Sequence, residues 1–201
     1  HQHPWEIRME RFGYSHITLE WRGQTIHFNP VDIVEGNSII VILGSWAEQL
    51  QGVQKMIQKN IPCTVVASQE ILTWLSEFGT VNGSVGLDQD GLQITLETFE
   101  PISSLTPLEA VRKVRASFRH PLRVGNRLKN KQSLPPYAPQ IAWIDFPSGV
   151  RFGHLNLCLH RKISTNFLEM IKKKAEKATW ILVGCDYEEE ASFLKLIEGF
   201  T

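Results

Sequence analysis

The stretch that most constrains this chain is Ser38 to Ile57, SIIVILGSWAEQLQGVQKMI. Ser38 to Leu43 is a short apolar run rich in β-branched residues, the pattern of a strand buried on both faces. Gly44 then turns the chain directly into a helix. Ser45 is placed to cap it, Glu48 completes a capping box, and Leu50, Val53 and Ile57 supply an apolar stripe. A buried strand, a tight turn with Gly44 and a helix N-terminus together make a common place for an active site. Here that turn offers Gly44, Ser45, Trp46, Ala47, Glu48 and Gln49, with no histidine, cysteine or aspartate among them.

Before this unit, Trp5 to Glu10 alternates as a strand, and Ile17 to Trp21 and Gln24 to Phe28 form a hairpin about Arg22-Gly23, closed by Asn29-Pro30. After it, the pattern predicts a strand over Pro62 to Ala67, a helix over Gln69 to Phe78 capped by Ser68, and strands over Val81 to Leu87 and Leu92 to Thr98 around Asp90-Gly91. Thr106-Pro107-Leu108-Glu109 opens a helix that ends before His120-Pro121, and a polar loop follows. Gln140 to Phe146 and Val150 to Cys158 read as strands. A helix over Asn166 to Lys177, a strand over Thr179 to Gly184 and a helix over Glu188 to Ile197 complete the chain. Antiparallel strands followed by strand–helix alternation, twice over, fit a layered α/β (α+β) fold.

The strand–turn–helix resembles the metal-binding turn of the metallo-β-lactamase superfamily, where a buried strand runs into His-x-His-x-Asp-His and then Leu-x-Gly. Laid over it, Leu50 and Gly52 match the scaffold positions. Gly44, Trp46 and Gln49 stand where histidines belong, and Glu48 where the aspartate belongs. The hairpin is similar to that of the lactonase-like branch, with Gly13-Tyr14-Ser15 for Gly-His-Ser and Asn29-Pro30 for the closing Asp-Pro. The run from Ser148 to Leu155 resembles the strand that delivers a bridging ligand, yet Asn156-Leu157 replaces Gly-Asp. The resemblance covers roughly Trp5 to Pro101 and Ile141 to Ile197. It implies a four-layer αββα sandwich, single-domain over 5–201, with 102–139 as a basic helix–loop insertion. It also implies a degenerate site with no metal and no cofactor. The former active-site pocket would be lined by Tyr14, Asn29, Gly44, Trp46, Glu48, Gln49, His154, Leu157 and His160, with the Trp46 indole taking space that two metal ions need.

Composition excludes more than it specifies. The 201 residues suffice for one sizeable core, and zero formal net charge gives no global case for nucleic acid or membrane. Cys63, Cys158 and Cys185 lie in or beside apolar runs without CxxC spacing, which points to free thiols in a reducing, cytoplasmic setting. No apolar run approaches the ~20 residues of a membrane-spanning helix, and no signal-peptide pattern is present. His1 to Pro4 reads as a processed end or a cloning remnant, so its two histidines are set aside.

The remaining histidines (His16, His27, His120, His154, His160) form no HxH, HxxxH or HExxH pair. Cys158 and His160 share a strand face, the spacing of a nucleophile pair without proof of one. The one local charge signal is basic. Arg112, Lys113, Arg115, Arg119, Arg123, Arg127, Lys129 and Lys131 fall in a stretch, Ala110 to Ile144, that holds no acid. They read either as a solvated helix face and loop or as a surface for an anionic ligand, nucleic acid or an acidic protein. The expectation is a non-catalytic binding protein. Two alternatives stand beside it: a hydrolase with a rebuilt site using Glu48, His154 and His160, and a polyanion binder. A partner protein or a second copy of the chain stays open; a membrane does not.

Overall fold

A computed structural model of the chain describes residues 7–11, 16–45, 47–98, 101–102, 135, 140–156, 162–163 and 165–184. The first sheet has six strands in sequence order: β1 (Ile7–Arg11), β2 (Ile17–Trp21), β3 (Gln24–Phe28), β4 (Ser38–Val41), β5 (Cys63–Val66) and β6 (Gly83–Ser84). Its first three strands run antiparallel, and β3 to β6 are parallel. Helices α1 (Ala47–Gln58) and α2 (Gln69–Ser76) are the crossovers that parallel pairing requires. The second sheet holds β7 (Gly86–Gln89), β8 (Leu92–Thr98), β10 (Gln140–Asp145), β11 (Arg151–Asn156) and β13 (Trp180–Gly184), in the order β13-β11-β10-β8-β7. A short ladder pairs β9 (Pro101–Ile102) with β12 (Lys162–Ile163), and α3 (Thr165–Ala175) precedes β13.

Side-chain alternation explains the layers. In the β4 strand and the residues that extend it, Ile39, Val41 and Leu43 join Leu19, Trp21, Ile26, Phe28, Ile94, Ala142, Ile144 and Phe152 in the core between the sheets. Ile40 and Ile42 point the other way. They meet Leu50, Val53, Met56 and Ile57 of α1 and Ile71, Trp74 and Leu75 of α2. α3 is tied to the outer face of the second sheet by Lys174, which contacts Glu97 of β8; the other Glu97 oxygen accepts from Trp143 Nε1 at 3.0 Å. Helices, sheet, sheet and helix make the four layers. Among the described residues, no helix is long and apolar enough to cross a membrane.

The hairpin turns follow their sequences. Arg22 and Gly23 both have positive φ (49° and 75°), as do Asp90 and Gly91 (53° and 80°), the two-residue geometry that suits twisted antiparallel strands. One expectation fails. Val81 to Leu87 is not a single strand: it breaks at Val85, which is 57% exposed, so β6 completes the first sheet and β7 begins the second. A period-two pattern records which face a residue takes but not which sheet it joins. The helix α1 starts at Ala47, two residues past Ser45.

Candidate functional site at the strand ends

The C-terminal ends of β3, β4, β5, β8 and β11 meet the start of β10 at one end of the sandwich. Leu43, just past β4, is the fixed point there. Its N–H donates to Asn29 Oδ1 at 2.8 Å, and its carbonyl accepts from the Gln140 N–H at 2.8 Å, a backbone bond from one sheet to the other. Asn29 is fully buried with φ of 47°, a conformation asparagine tolerates better than most residues, and its own N–H donates to the Val41 carbonyl at 3.0 Å. Gln140 in turn donates from Nε2 to Thr98 Oγ1 at 3.1 Å. Asn29 therefore does structural work where the resemblance placed a functional acid.

Gly44 follows, and the space beside it is taken. A Cβ at Gly44 would lie 2.2 Å from Gln49 Oε1, so the Gln49 carboxamide, itself buried, fills the position next to the turn. Leu50 is buried in the helix layer. A Cβ at Gly52 would come 2.2 Å from the Pro30 carbonyl oxygen and 2.7 Å from that of Asp32. The two scaffold matches thus have a physical cause: α1 lies directly against the loop that leaves β3, and only glycine permits that approach. Glu48 sits half-buried in the first turn of α1, where the helix dipole favours an acid.

His154 lies inside the sandwich. It shares a face with Phe152, stands opposite the small Ala142, and places its ring 5.1 Å from that of Phe28. It is 3% exposed and, among the described residues, neither ring nitrogen has a hydrogen-bond partner. Burial pushes its pKa down to about 4, so the ring is neutral at pH 7. On the opposite face of the first sheet, His16 Nε2 and His27 Nδ1 are 3.2 Å apart. Desolvation, with the His16 charge second, lowers His27 to about 4, and desolvation lowers His16 as well.

The buried side-chain atoms without partners among the described residues are His27 Nε2, Asn29 Nδ2, Ser68 Oγ and both nitrogens of His154. All belong to residues at or within two positions of the C-terminal ends of β3, β5 and β11. Ser68 was read from the sequence only as a cap, yet its side chain makes no capping bond. In the sequence His27 counts only among the histidines that lack a metal-pair spacing. The available signal was a polar side chain at the end of an apolar strand. Tyr14, Trp46, Leu157, His160, Cys158 and the whole basic segment from Arg112 to Lys131 lie outside the described residues.

No protein-family profile and no curated protein sequence matches the chain. Solved structures do. Zn²⁺-bound PqqB from Methylobacterium extorquens is similar over 92% of this chain and 64% of that chain, with 12% identity and a TM-score of 0.53. The fold is metallo-β-lactamase-like. Two further structures are similar along most of their length. Igni18, a metallo hydrolase from the archaeon Ignicoccus hospitalis, is covered to 92% by 94% of this chain, at 13% identity and a TM-score of 0.48. An isothiocyanate hydrolase from Delia radicum gut bacteria is covered to 92% by 97% of this chain, at 11% identity and a TM-score of 0.47.

A metallo-β-lactamase-like fold implies a metal centre at the turn after β4, and the described residues there do not fit one. Gly44 offers no donor atom, Gln49 offers a neutral amide already packed against the turn, and Asn29 is committed to Leu43. Among the described residues, no three His, Cys, Asp or Glu side chains stand close enough together to hold a metal ion.

Proposed function

We propose that this metallo-β-lactamase-like chain acts by recognition at its strand-end mouth rather than by metal-dependent hydrolysis. The reading rests on one observation, the Gln49 carboxamide seated against Gly44. A neutral amide packed beside the turn, where Gly44 and Gln49 bring no histidine or carboxylate, supports a site that does not work through a transition metal. The unpartnered polar atoms of Asn29, Ser68 and His154 at the same strand ends supply the second support, since such groups are costly unless something hydrogen-bonds to them. A polar ligand that accepts from an amide or hydroxyl is the kind these groups would take. Elemental analysis of protein purified without chelator tests the reading. The expected result is no stoichiometric zinc, iron or manganese. One or two ions per chain, removable with loss of thermal stability, overturn it.

A hydrolase with a rebuilt site is the competing reading, and the observation that favours it is His154, a buried imidazole at the strand-end mouth whose nitrogens have no partner among the described residues. Turnover of ester, lactone or thioester substrates that is abolished by His154→Leu would establish it in place of recognition.

A further inference from the structure

β1 is the outer strand of the first sheet, and among the described residues only β2 pairs with it. Among the described residues its outer edge presents backbone donors and acceptors without strand partners, a template for another strand. The opposite edge of the same sheet, β6, is only two residues long, which itself discourages pairing. β1 has five residues, no proline and no bulge in its register with β2. Met9 stands opposite Leu19, on the face that carries Ile7 into the core, yet it is 52% exposed. The apolar face of the sheet thus runs out past its cover at this edge.

Charged residues usually protect such an edge, and here they are arranged so that they do not. Arg8 and Glu10 flank Met9 on the other face and contact one another within the strand. We propose that two copies of this chain join edge to edge through β1, antiparallel, about a two-fold axis at Met9. In that register Arg8 of each copy lies directly across from Glu10 of the other, and Met9 lies across from Met9. Both cross-strand ion pairs form at once, as an isologous contact requires. Sliding the pairing by two residues puts Arg8 opposite Arg8 in one direction and Glu10 opposite Glu10 in the other, so like charges penalise both slips. A slip of one residue would set core-side positions against solvent-side ones. The charge pattern therefore selects one register. A five-residue strand pair buries less than the roughly 1,600 Å² of a standard interface, so the dimer is weak and concentration-dependent.

Sedimentation of the full chain from low micromolar to near-millimolar concentration tests this, with thermal melting to confirm that each variant folds. Wild type is expected to pass from monomer to dimer. Arg8→Glu sets like charges across the axis and is expected to raise the dissociation constant about tenfold, whereas Arg8→Glu combined with Glu10→Arg restores the wild-type value. Met9→Cys is expected to form, on mild oxidation, a disulfide-linked dimer joined through that position, since directly opposed strand residues lie within disulfide reach. A chain that stays monomeric throughout overturns the proposal. So does a dimer whose dissociation constant is the same in wild type, Arg8→Glu and the charge swap.

Discussion

The two faces of β4 are built to different rules. Toward the helices, Ile40 and Ile42 pack against apolar side chains of α1, α2 and β5. Toward the second sheet, Val41 and Leu43 sit in a layer that is apolar along most of its length, but His154 intrudes near its end and Asn29 closes it. Among the described residues, the unpartnered buried polar atoms of Asn29 and His154 lie at the mouth between the sheets, while those of His27 and Ser68 lie on the helix side, on the face of Ile40 and at the start of α2. The two faces of β4 thus differ in what closes them: helices on one side, and on the other a second sheet whose mouth holds the buried His154 and Asn29.

The largest expected effect comes from Phe28→Ala, which removes the ring that touches both Phe152 and His154. Chemical denaturation should show a loss of about 3–5 kcal/mol. A much smaller loss would mean the inter-sheet layer is loosely packed at its mouth and would weaken the contrast with the helix layer.

His154 should make stability depend on pH. Its folded pKa of about 4 lies below the ordinary value of 6.5, so its contribution is fully present above 6.5 and is lost as pH falls toward 4. Over that window the loss from this residue should be roughly 3 kcal/mol, with His27 adding in the same direction. His154→Leu should flatten the profile and, by deleting unpartnered nitrogens, raise stability at pH 7 by about 1 kcal/mol. A lower stability in that variant would mean the imidazole has a bonding partner that supports the fold.

Gly52→Ala probes the helix side. The added methyl would meet the Pro30 and Asp32 carbonyls, and displacement of α1 should cost about 1–3 kcal/mol. The smallest effect is expected at Ser68→Ala. A working helix cap is worth about 1 kcal/mol, but the Ser68 hydroxyl makes no capping bond, so its loss should change melting by less than about 0.5 kcal/mol. A full capping penalty would show that the hydroxyl is engaged in solution and remove it from the unpartnered set.

Much of this contrast was legible in the sequence, and the part that was not has a common cause. The β4–α1 unit, the two positive-φ turns and the apolar stripe of α1 are local, so spacing and glycine positions reveal them. That Gly44 and Gln49 bring no histidine or carboxylate to the turn could likewise be read from residue types. The role of Asn29 could not, because it depends on the Leu43 amide fourteen residues away. Nor could the place of His154, which depends on Ala142 and Phe28 meeting it from two different sheets. The break at Val85 belongs to the same class, since the change of sheet is decided by partners and not by the strand itself.

The bond between the Leu43 carbonyl and the Gln140 amide has a mechanical consequence. Facing sheets normally stand about 10 Å apart, so a direct backbone bond between them pinches the sandwich shut along one side of the mouth, like a clasp. Separating the sheets on that side of the mouth requires this bond to break. The Gln140 amide proton becomes the natural clock for such motion: it should trade with solvent deuterium only when the clasp itself lets go.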